Sequence, residues 1–355
     1  MRRLLLIIAI SPIVFLSLSC ESVDFKDHRP THDVELFEQL AQEVADTLAV
    51  PNAKTFRQDM RTLDIATQDL LRSQSLQALN TMRLAWKQAY FTWQAISLLH
   101  FGPAEQLMLS ELIGKYPINP EGILPAANGR YKVAEEVGLM AVEYMIFAKD
   151  NDETLQLIRS SAAFRMALID KVKAMEDIGV KYDQLWNDYK GQFTSNTGVE
   201  AGEAVPMLVS SAIKTIDLMN GKRLALPLGI NNGDQVNFEL IQGAYSGESL
   251  RALRLQWVFW KGLWDGSISV GEEQLHFKGL EALLEGKQEL EELHEQVQLV
   301  DAVFDQVQLK DMEQAIRLYP NQMRALQRAL ADMEVLTRSL PKVIGVEISA
   351  VEAKN

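Results

Sequence analysis

Hydrophobic residues recur every three or four positions along most of the chain, the spacing that places them on one face of an α-helix. The first such run starts at Asp33, and Pro51 is expected to end its helix because proline breaks the hydrogen-bond ladder. Gly179 and Pro320 mark two expected kinks or breaks. The other predicted helices span approximately 54–71, 76–99, a short segment ending at 113, 132–148, 151–189, 204–219, 249–264, 272–286, 289–307 and 312–340.

No stretch shows the alternating pattern of a β-strand, so the predicted fold class is all-α. Long helices joined by loops favour packed bundles, and the most natural boundary lies just after residue 148. The predicted organisation is a signal peptide, a lipidated tether and two packed helical bundles, at residues 1–19, 20–32, 33–150 and 151–355.

The segment 138–147 is apolar on every side of a helical wheel, which is typical of a buried helix. Glu143 is its only carboxylate, and a buried carboxylate needs hydrogen bonds, a cation or a proton. In a helix starting near residue 132, Glu136, Met140 and Glu143 share one stripe. This stripe is either a site or, as base rates favour, part of a core helix with one satisfied polar residue.

Composition narrows the classes of function. The chain has 355 residues, 47% of them hydrophobic, which is enough for a large core. Its formal net charge of −13 argues against nucleic acid as a partner, because binding phosphates requires a basic face. It contains one cysteine, Cys20, so no disulfide forms within the chain.

The N-terminus has the proportions of a signal peptide. Two arginines precede an apolar core at residues 4–18, and Cys20 follows Ser19 directly. This pattern resembles a bacterial lipobox, although Ser17 stands where leucine is preferred. We therefore expect cleavage before Cys20 and its lipidation, with ordinary secretion as the alternative. Glu21 differs from the aspartate of inner-membrane retention signals, which favours the periplasmic face of the outer membrane.

Motifs that identify common enzymes are absent from the sequence, including HExxH, GxSxG, CxxC and phosphate-binding glycine loops. The five histidines are scattered, and His28 and His32 lie in the polar tether. Residue types alone therefore indicate no metal or nucleophile constellation.

Several segments in a fixed order resemble the imelysin-like proteins, exported bacterial proteins that are linked to iron acquisition and were first described as metallopeptidases. The segment 138–144 resembles the GxHxxE signature of that family. The other matching segments are the tryptophan helix 86–93 with Phe-Gly-Pro at 101–103, the aromatic-proline loop 116–123, Pro-Leu-Gly at 227–229, the segment 245–250 and the closing segment 340–348.

The resemblance implies two helical bundles with the signature helix facing a pocket between them. That pocket would be built around Gly138, Met140 and Glu143, together with the loop His100, Phe101, Gly102 and Pro103. Iron or another divalent metal is the cofactor that the family implies. Here Met140 replaces the signature histidine, and a thioether is a poor ligand for ferric iron or zinc. Metal binding through Glu143 with Glu136, Glu135 or His100 is the alternative.

Three hypotheses of function follow. The first is a non-enzymatic, lipid-anchored periplasmic protein that serves iron or metal acquisition or binds a ligand in its interdomain pocket. Its partners would be the membrane, through Cys20, and an iron-uptake or outer-membrane protein. The second is a metallopeptidase of the imelysin type, with Glu143 as ligand or general base. The third is a structural interaction module in which Glu143 bonds to loop amides.

Overall fold

The structure is a computed structural model, and it describes residues 32–125, 131, 133–230, 232–270 and 273–348. The predicted signal peptide, Cys20 and His28 lie outside the described residues. None of the helices within the described ranges combines the length and the apolar character needed to cross a membrane.

Helices make up nearly all of the regular structure, which confirms the all-α prediction. The α-helices are α1 Val34–Val44, α2 Val50–Ser73, α3 Leu76–Ser97, α4 Leu109–Leu112, α5 Gly138–Phe147, α6 Asn151–Ser160, α7 Ala162–Ser195, α8 Ala204–Asp217, α9 Ser249–Asp265, α10 Gln288–Gln306, α11 Met312–Leu318 and α12 Pro320–Ile344. Short 3-10 helices occupy Gly102–Leu107, Pro120–Gly122, Phe238–Leu240 and Leu280–Leu284. Two π-helical segments occupy Ala45–Ala49 and Leu218–Ala225.

The predicted stop at Pro51 is wrong, because helical backbone continues from α1 into α2 through the π-helical segment Ala45–Ala49. Pro51 lies in the first turn of α2, where the missing amide hydrogen of a proline is tolerated. Pro320 behaves as predicted, since α11 ends before it and α12 begins with it.

The long helix expected from residue 151 breaks at Ser161 and not at Gly179. The Ser161 side chain accepts from the amide of Phe164 and thereby caps the start of α7. Gly179 lies inside α7 against Arg57 and Met60 of α2, and a Cβ there would sit 3.3 Å from the Arg57 Cα. The glycine thus serves close packing of two helices.

A β-hairpin replaces the start of the helix predicted at 272–286. Its strands, β1 Ser267–Val270 and β2 Glu273–His276, pair antiparallel with Ile268 opposite Leu275. Gly266 ends α9 in the left-handed conformation and donates its amide to Gly262. Strands of four residues are too short to show a readable alternation, which is why the periodicity missed them.

Helix α5 begins at Gly138, six residues later than predicted, because tertiary contacts keep the preceding segment extended. The Glu136 amide donates to the Gly122 carbonyl, and the Leu139 amide donates to the Ile113 carbonyl, each at 2.9 Å. These long-range hydrogen bonds satisfy backbone amides that would donate to carbonyls four residues earlier if the helix started near residue 132.

The helices pack in two main groups. Helix α2 lies along α3 and α7, whereas α12 lies along α8 and α10, and α3 also contacts α9. The described residues from His32 onward cluster as one compact unit. Helix α2, which precedes residue 150, packs along α7, which follows it. The division into bundles at 33–150 and 151–355 stays a prediction.

Candidate functional site

Helix α5 is buried along nearly its whole length, as its apolar sequence indicates. Eight of its ten residues are buried, and one of them is Glu143, which is only 2% exposed. The Trp86 indole on α3 donates a 2.8 Å hydrogen bond to the Leu139 carbonyl and so ties α5 to α3. A buried, tethered helix gives its side chains fixed positions.

The Glu143 carboxylate faces the chain that precedes α9. Its Oε1 accepts a 2.7 Å hydrogen bond from the backbone amide of Ser246. Ser246 is held in turn, because its hydroxyl donates to the Gly243 carbonyl in the same turn. Gly243 has a positive φ of 73°, and a Cβ there would lie 2.7 Å from the Tyr90 hydroxyl. Only glycine fits this approach without displacing the tyrosine.

Burial raises the pKa of Glu143 to about 7, since transfer of a carboxylate out of water disfavours its charged form. Hydrogen bonds from Ser246 and from the backbone of Tyr245 act in the opposite direction. No cation pairs with Glu143 among the ion pairs of the described residues. Glu143 therefore exchanges a proton near neutral pH.

Glu143 also lines a cavity of about 440 Å³. Polar and apolar groups contribute about equally to its wall, and a second and third carboxylate lie on it as well. The wall includes Tyr116, Ile118, Met140, Phe238, Tyr245 and the carboxylates of Glu239 and Glu313. The cavity thus combines apolar side chains with three carboxylates, of which Glu313 is paired with Arg317, and one face of α5 borders it.

Met140 lies on the same wall, one helical turn before Glu143, and is 2% exposed. Residues at i and i+3 lie on the same face of a helix. Met140 and Glu143 thus line one cavity, and Gly138 starts their helix. Whether these residues act on a ligand stays a prediction.

Glu136 does not share the stripe of Met140 and Glu143, because it precedes α5. Its carboxylate pairs with Lys115 at 3.2 Å. Glu135 pairs with the buried ammonium of Lys171 at 3.0 Å, and this pair, with a hydrogen bond from Tyr131, holds the pKa of Glu135 below its usual value despite some burial. Neither glutamate lines the Glu143 cavity.

The loop His100, Phe101, Gly102 and Pro103 lies away from the Glu143 cavity. Phe101 and Gly102 line a separate cavity of about 270 Å³, and Pro103 borders a groove along α7. Burial lowers the pKa of His100, and its Nε2 has no hydrogen-bond partner among the described residues. The structure therefore does not bring this loop and α5 to one cavity.

The donor set does not fit a resident metal ion. Within the described ranges, no three His, Cys, Asp or Glu side chains converge closely enough to hold one. Glu143 and Met140 supply one hard oxygen ligand and one soft sulfur, and iron or zinc sites need more nitrogen or oxygen donors than this.

Some contributors to the site were not singled out from the sequence. The amide of Ser246 and the wall at 238–245 come from a stretch without a helical pattern. Two segments of the family resemblance, 116–123 and 245–250, contribute residues to this cavity. They were the only feature of the sequence that pointed to these contributors. No pattern distinguished Arg223, a buried residue of the π-helical segment Leu218–Ala225.

Comparisons with known proteins identify the family and agree with the helical fold. The family model of the imelysins matches residues 49–340. A crystal structure from Parabacteroides distasonis ATCC 8503, described as that of an iron-regulated protein A precursor, aligns with a TM-score of 0.70 at 15% identity, covering 89% of this chain and 96% of that one. An imelysin-like protein from Psychrobacter arcticus 273-4 aligns with a TM-score of 0.69 at 15% identity, covering 90% and 98%. A search of curated proteins found no match.

Proposed function

The chain belongs to the imelysin family, and we propose that it is an exported, lipid-anchored protein that binds a small ligand in the Glu143 cavity and serves iron acquisition without peptidase activity. The observation that carries this proposal is the position of Glu143. One carboxylate oxygen is hydrogen-bonded to the Ser246 amide, and the same side chain borders a cavity of about 440 Å³ with both apolar and polar walls. A cavity of this size and character is typical of small-molecule sites.

The cavity favours a ligand with an apolar body and a cationic or donor group. Ile118, Met140 and Phe238 supply apolar surface. Glu143 supplies a hydrogen-bond acceptor, and its burial makes the ionised form unfavourable. A cation beside Glu143 would offset that cost and stabilise the ionised form. Affinity for such a ligand is therefore expected to rise as the pH increases through about 7.

The role in iron acquisition rests on family membership and on the description of the Parabacteroides protein as iron-regulated. Because Met140 replaces the signature histidine, we propose that iron does not bind as a bare ion on α5. Iron would instead reach the protein within an organic ligand or through a partner protein of the uptake system.

A thermal-shift and calorimetric titration tests the ligand site. Benzylamine, which joins an ammonium group to an apolar ring, is the probe, and Fe²⁺, Fe³⁺ and Zn²⁺ are tested alongside it. We expect benzylamine to raise the melting temperature of the wild type more at pH 8 than at pH 6, and Glu143→Gln to abolish this effect. Glu38→Gln, an exposed change of equal charge, is the matched control.

Two results would overturn the binding proposal. One is stabilisation of the wild type by bare Fe²⁺, Fe³⁺ or Zn²⁺ that Glu143→Ala removes, because this would establish a metal site. The other is chelator-sensitive cleavage of casein by the purified wild type, because this would establish the metallopeptidase alternative.

Localisation is tested through the predicted leader. Labelled palmitate should enter the wild type and not Cys20→Ser. In a Gram-negative host, the wild type should fractionate with the outer membrane, whereas Glu21→Asp should redirect it to the inner membrane. Soluble, unlabelled wild-type protein in the periplasm would contradict the lipoprotein proposal and leave the ligand-binding proposal to the titrations above.

A further inference from the structure

Arg223 is a buried cation without a carboxylate partner. It belongs to the π-helical segment Leu218–Ala225 that follows α8, and the residue is 2% exposed. Its Nη1 donates to the side-chain oxygens of Gln94 and Gln256, at 2.7 Å and 2.6 Å. Within the described part of the chain, its Nε and Nη2 have no hydrogen-bond partner, and the Tyr90 hydroxyl lies close enough to interact with the guanidinium.

Such an arrangement is costly for the protein alone. Buried arginines are almost always paired with an anion, because a desolvated charge with unmet donors destabilises the fold. The amide oxygens of Gln94 and Gln256 satisfy one nitrogen of Arg223 but carry no net negative charge. The Tyr116 hydroxyl nearby is also buried without a hydrogen-bond partner among the described residues.

Arg223 and Tyr116 line the same cavity, which has a volume of about 260 Å³. Lys222 lies on its wall as well, with its ammonium 4.3 Å from the centre of the Tyr116 ring. Lys115 also borders it, but that charge is paired with Glu136. Among the described residues, the wall carries two cations outside any ion pair, Arg223 and Lys222, and one carboxylate, that of the exposed Glu111.

The free edge of the guanidinium defines the chemistry of the occupant. Nε and Nη2 are neighbouring donors in one plane, and this fork matches the two oxygens of a carboxylate. We propose that the cavity lined by Arg223, Lys222 and Tyr116 binds a small carboxylate, with the Arg223 Nε–Nη2 edge donating to its two oxygens. The Tyr116 hydroxyl then donates to the same anion. Because this hydroxyl and the Arg223 edge are both buried, a small adjustment of the surrounding side chains opens them to the cavity.

The size of the cavity sets the class of ligand. Drug-sized molecules need about 300 Å³ or more, so this cavity suits a compact acid with one or two carboxyl groups. This site is separate from the ligand site proposed at Glu143, although Tyr116 lines both cavities. Its positive wall and the negative wall of the Glu143 cavity select ligands of opposite charge.

Isothermal titration with sodium succinate tests the proposal, with sodium chloride at equal ionic strength as the blank and inorganic phosphate as a second probe. We expect succinate to bind the wild type and affinity to fall about tenfold or more in Arg223→Gln, since charge-assisted hydrogen bonds are lost. Tyr116→Phe should weaken binding by a smaller factor. Arg317→Gln, which removes an equal charge from an exposed residue, and Glu143→Gln should bind succinate as the wild type does.

Three outcomes would overturn the proposal: no succinate binding to the wild type, unchanged binding in Arg223→Gln, or binding of phosphate alone. If Arg223→Gln does not fold, Arg223→Lys and Tyr116→Phe decide, because Lys keeps the charge and loses the two-donor fork. Unchanged affinity in both would also reject the assignment. Because Glu143→Gln is expected to lose benzylamine binding and keep succinate binding, failure at one cavity is distinguishable from failure at the other.

Discussion

The Glu143 carboxylate accepts a 2.7 Å hydrogen bond from the Ser246 amide, 103 residues further along the chain. This contact joins the buried helix α5 to the turn before α9. The same side chain lines a cavity of about 440 Å³. Glu143 is therefore both a hydrogen-bonded carboxylate of the core and a residue of the cavity wall, the two interpretations that the sequence left open.

Glu143→Gln should change the pH dependence of stability. The pKa of Glu143 is raised to about 7 in the fold and is near 4.5 in the unfolded chain, so the native state binds more protons between these values. The contribution of Glu143 to the free energy of unfolding is therefore fullest below pH 4.5 and is lost as the pH rises towards 7. Relative to Glu143→Gln, the wild type should lose up to about 3 kcal/mol between pH 5 and pH 8.

Urea unfolding of both proteins at pH 5, 6, 7 and 8 measures this difference. The exposed Glu38→Gln variant is the control and should follow the wild-type curve. Parallel curves for the wild type and Glu143→Gln would show that burial does not shift the titration of this carboxyl.

Gly138→Ala should destabilise the fold by about 1–3 kcal/mol, because the strained backbone and a steric clash act together. Gly138 has a φ of +81°, and a Cβ there would lie 2.5 Å from the Ile113 carbonyl oxygen. Gly191→Ala is the matched control, since no atom of the described residues outside its own helical turns lies within 4 Å of the position of its Cβ in α7. That variant should be stabilised by about 0.5–1 kcal/mol. Equal melting temperatures for the two variants would contradict this account.

Trp86→Phe should cost about 1 kcal/mol more than Trp264→Phe. Both indoles are buried, but the Trp86 Nε1 donates to the Leu139 carbonyl, whereas the Trp264 Nε1 has no partner among the described residues. The two substitutions remove similar volumes, so the difference isolates the hydrogen bond that holds α5 against α3. Chemical denaturation of both variants under one condition provides the comparison, and a larger loss in Trp264→Phe would refute it.

Met140→His should create a weak Zn²⁺ site on α5. The imidazole and the Glu143 carboxylate would lie at i and i+3 on the wall of one cavity, and water would complete the coordination. Zn²⁺ is expected to raise the melting temperature of this variant, and adding Glu143→Gln should abolish the gain. Met140→Leu, which keeps an apolar side chain, should show no response. A Zn²⁺ response in Met140→Leu equal to that in Met140→His would place the metal elsewhere.

Local patterns in the sequence predicted most of the helical structure. The three- and four-residue spacing identified α3, α8 and α10 nearly to their ends, because amphipathic periodicity depends only on neighbouring residues. The apolar wheel of 138–147 predicted a buried helix, and α5 is buried. The hairpin at 267–276 and the break at Ser161 were missed, because short strands and single caps carry little signal in periodicity.

By itself, the sequence determined the all-α class, the family and the burial of one carboxylate beside a methionine. Only the tertiary structure decided which groups meet. In the folded chain, Glu136 forms an ion pair with Lys115, and the Ser246 amide donates a hydrogen bond to Glu143. Arg223 lines a cavity other than the one at Glu143. The physical reason is that hydrophobic spacing is encoded locally, whereas the partner of a buried polar group depends on how distant segments pack and on which backbone donors they leave free.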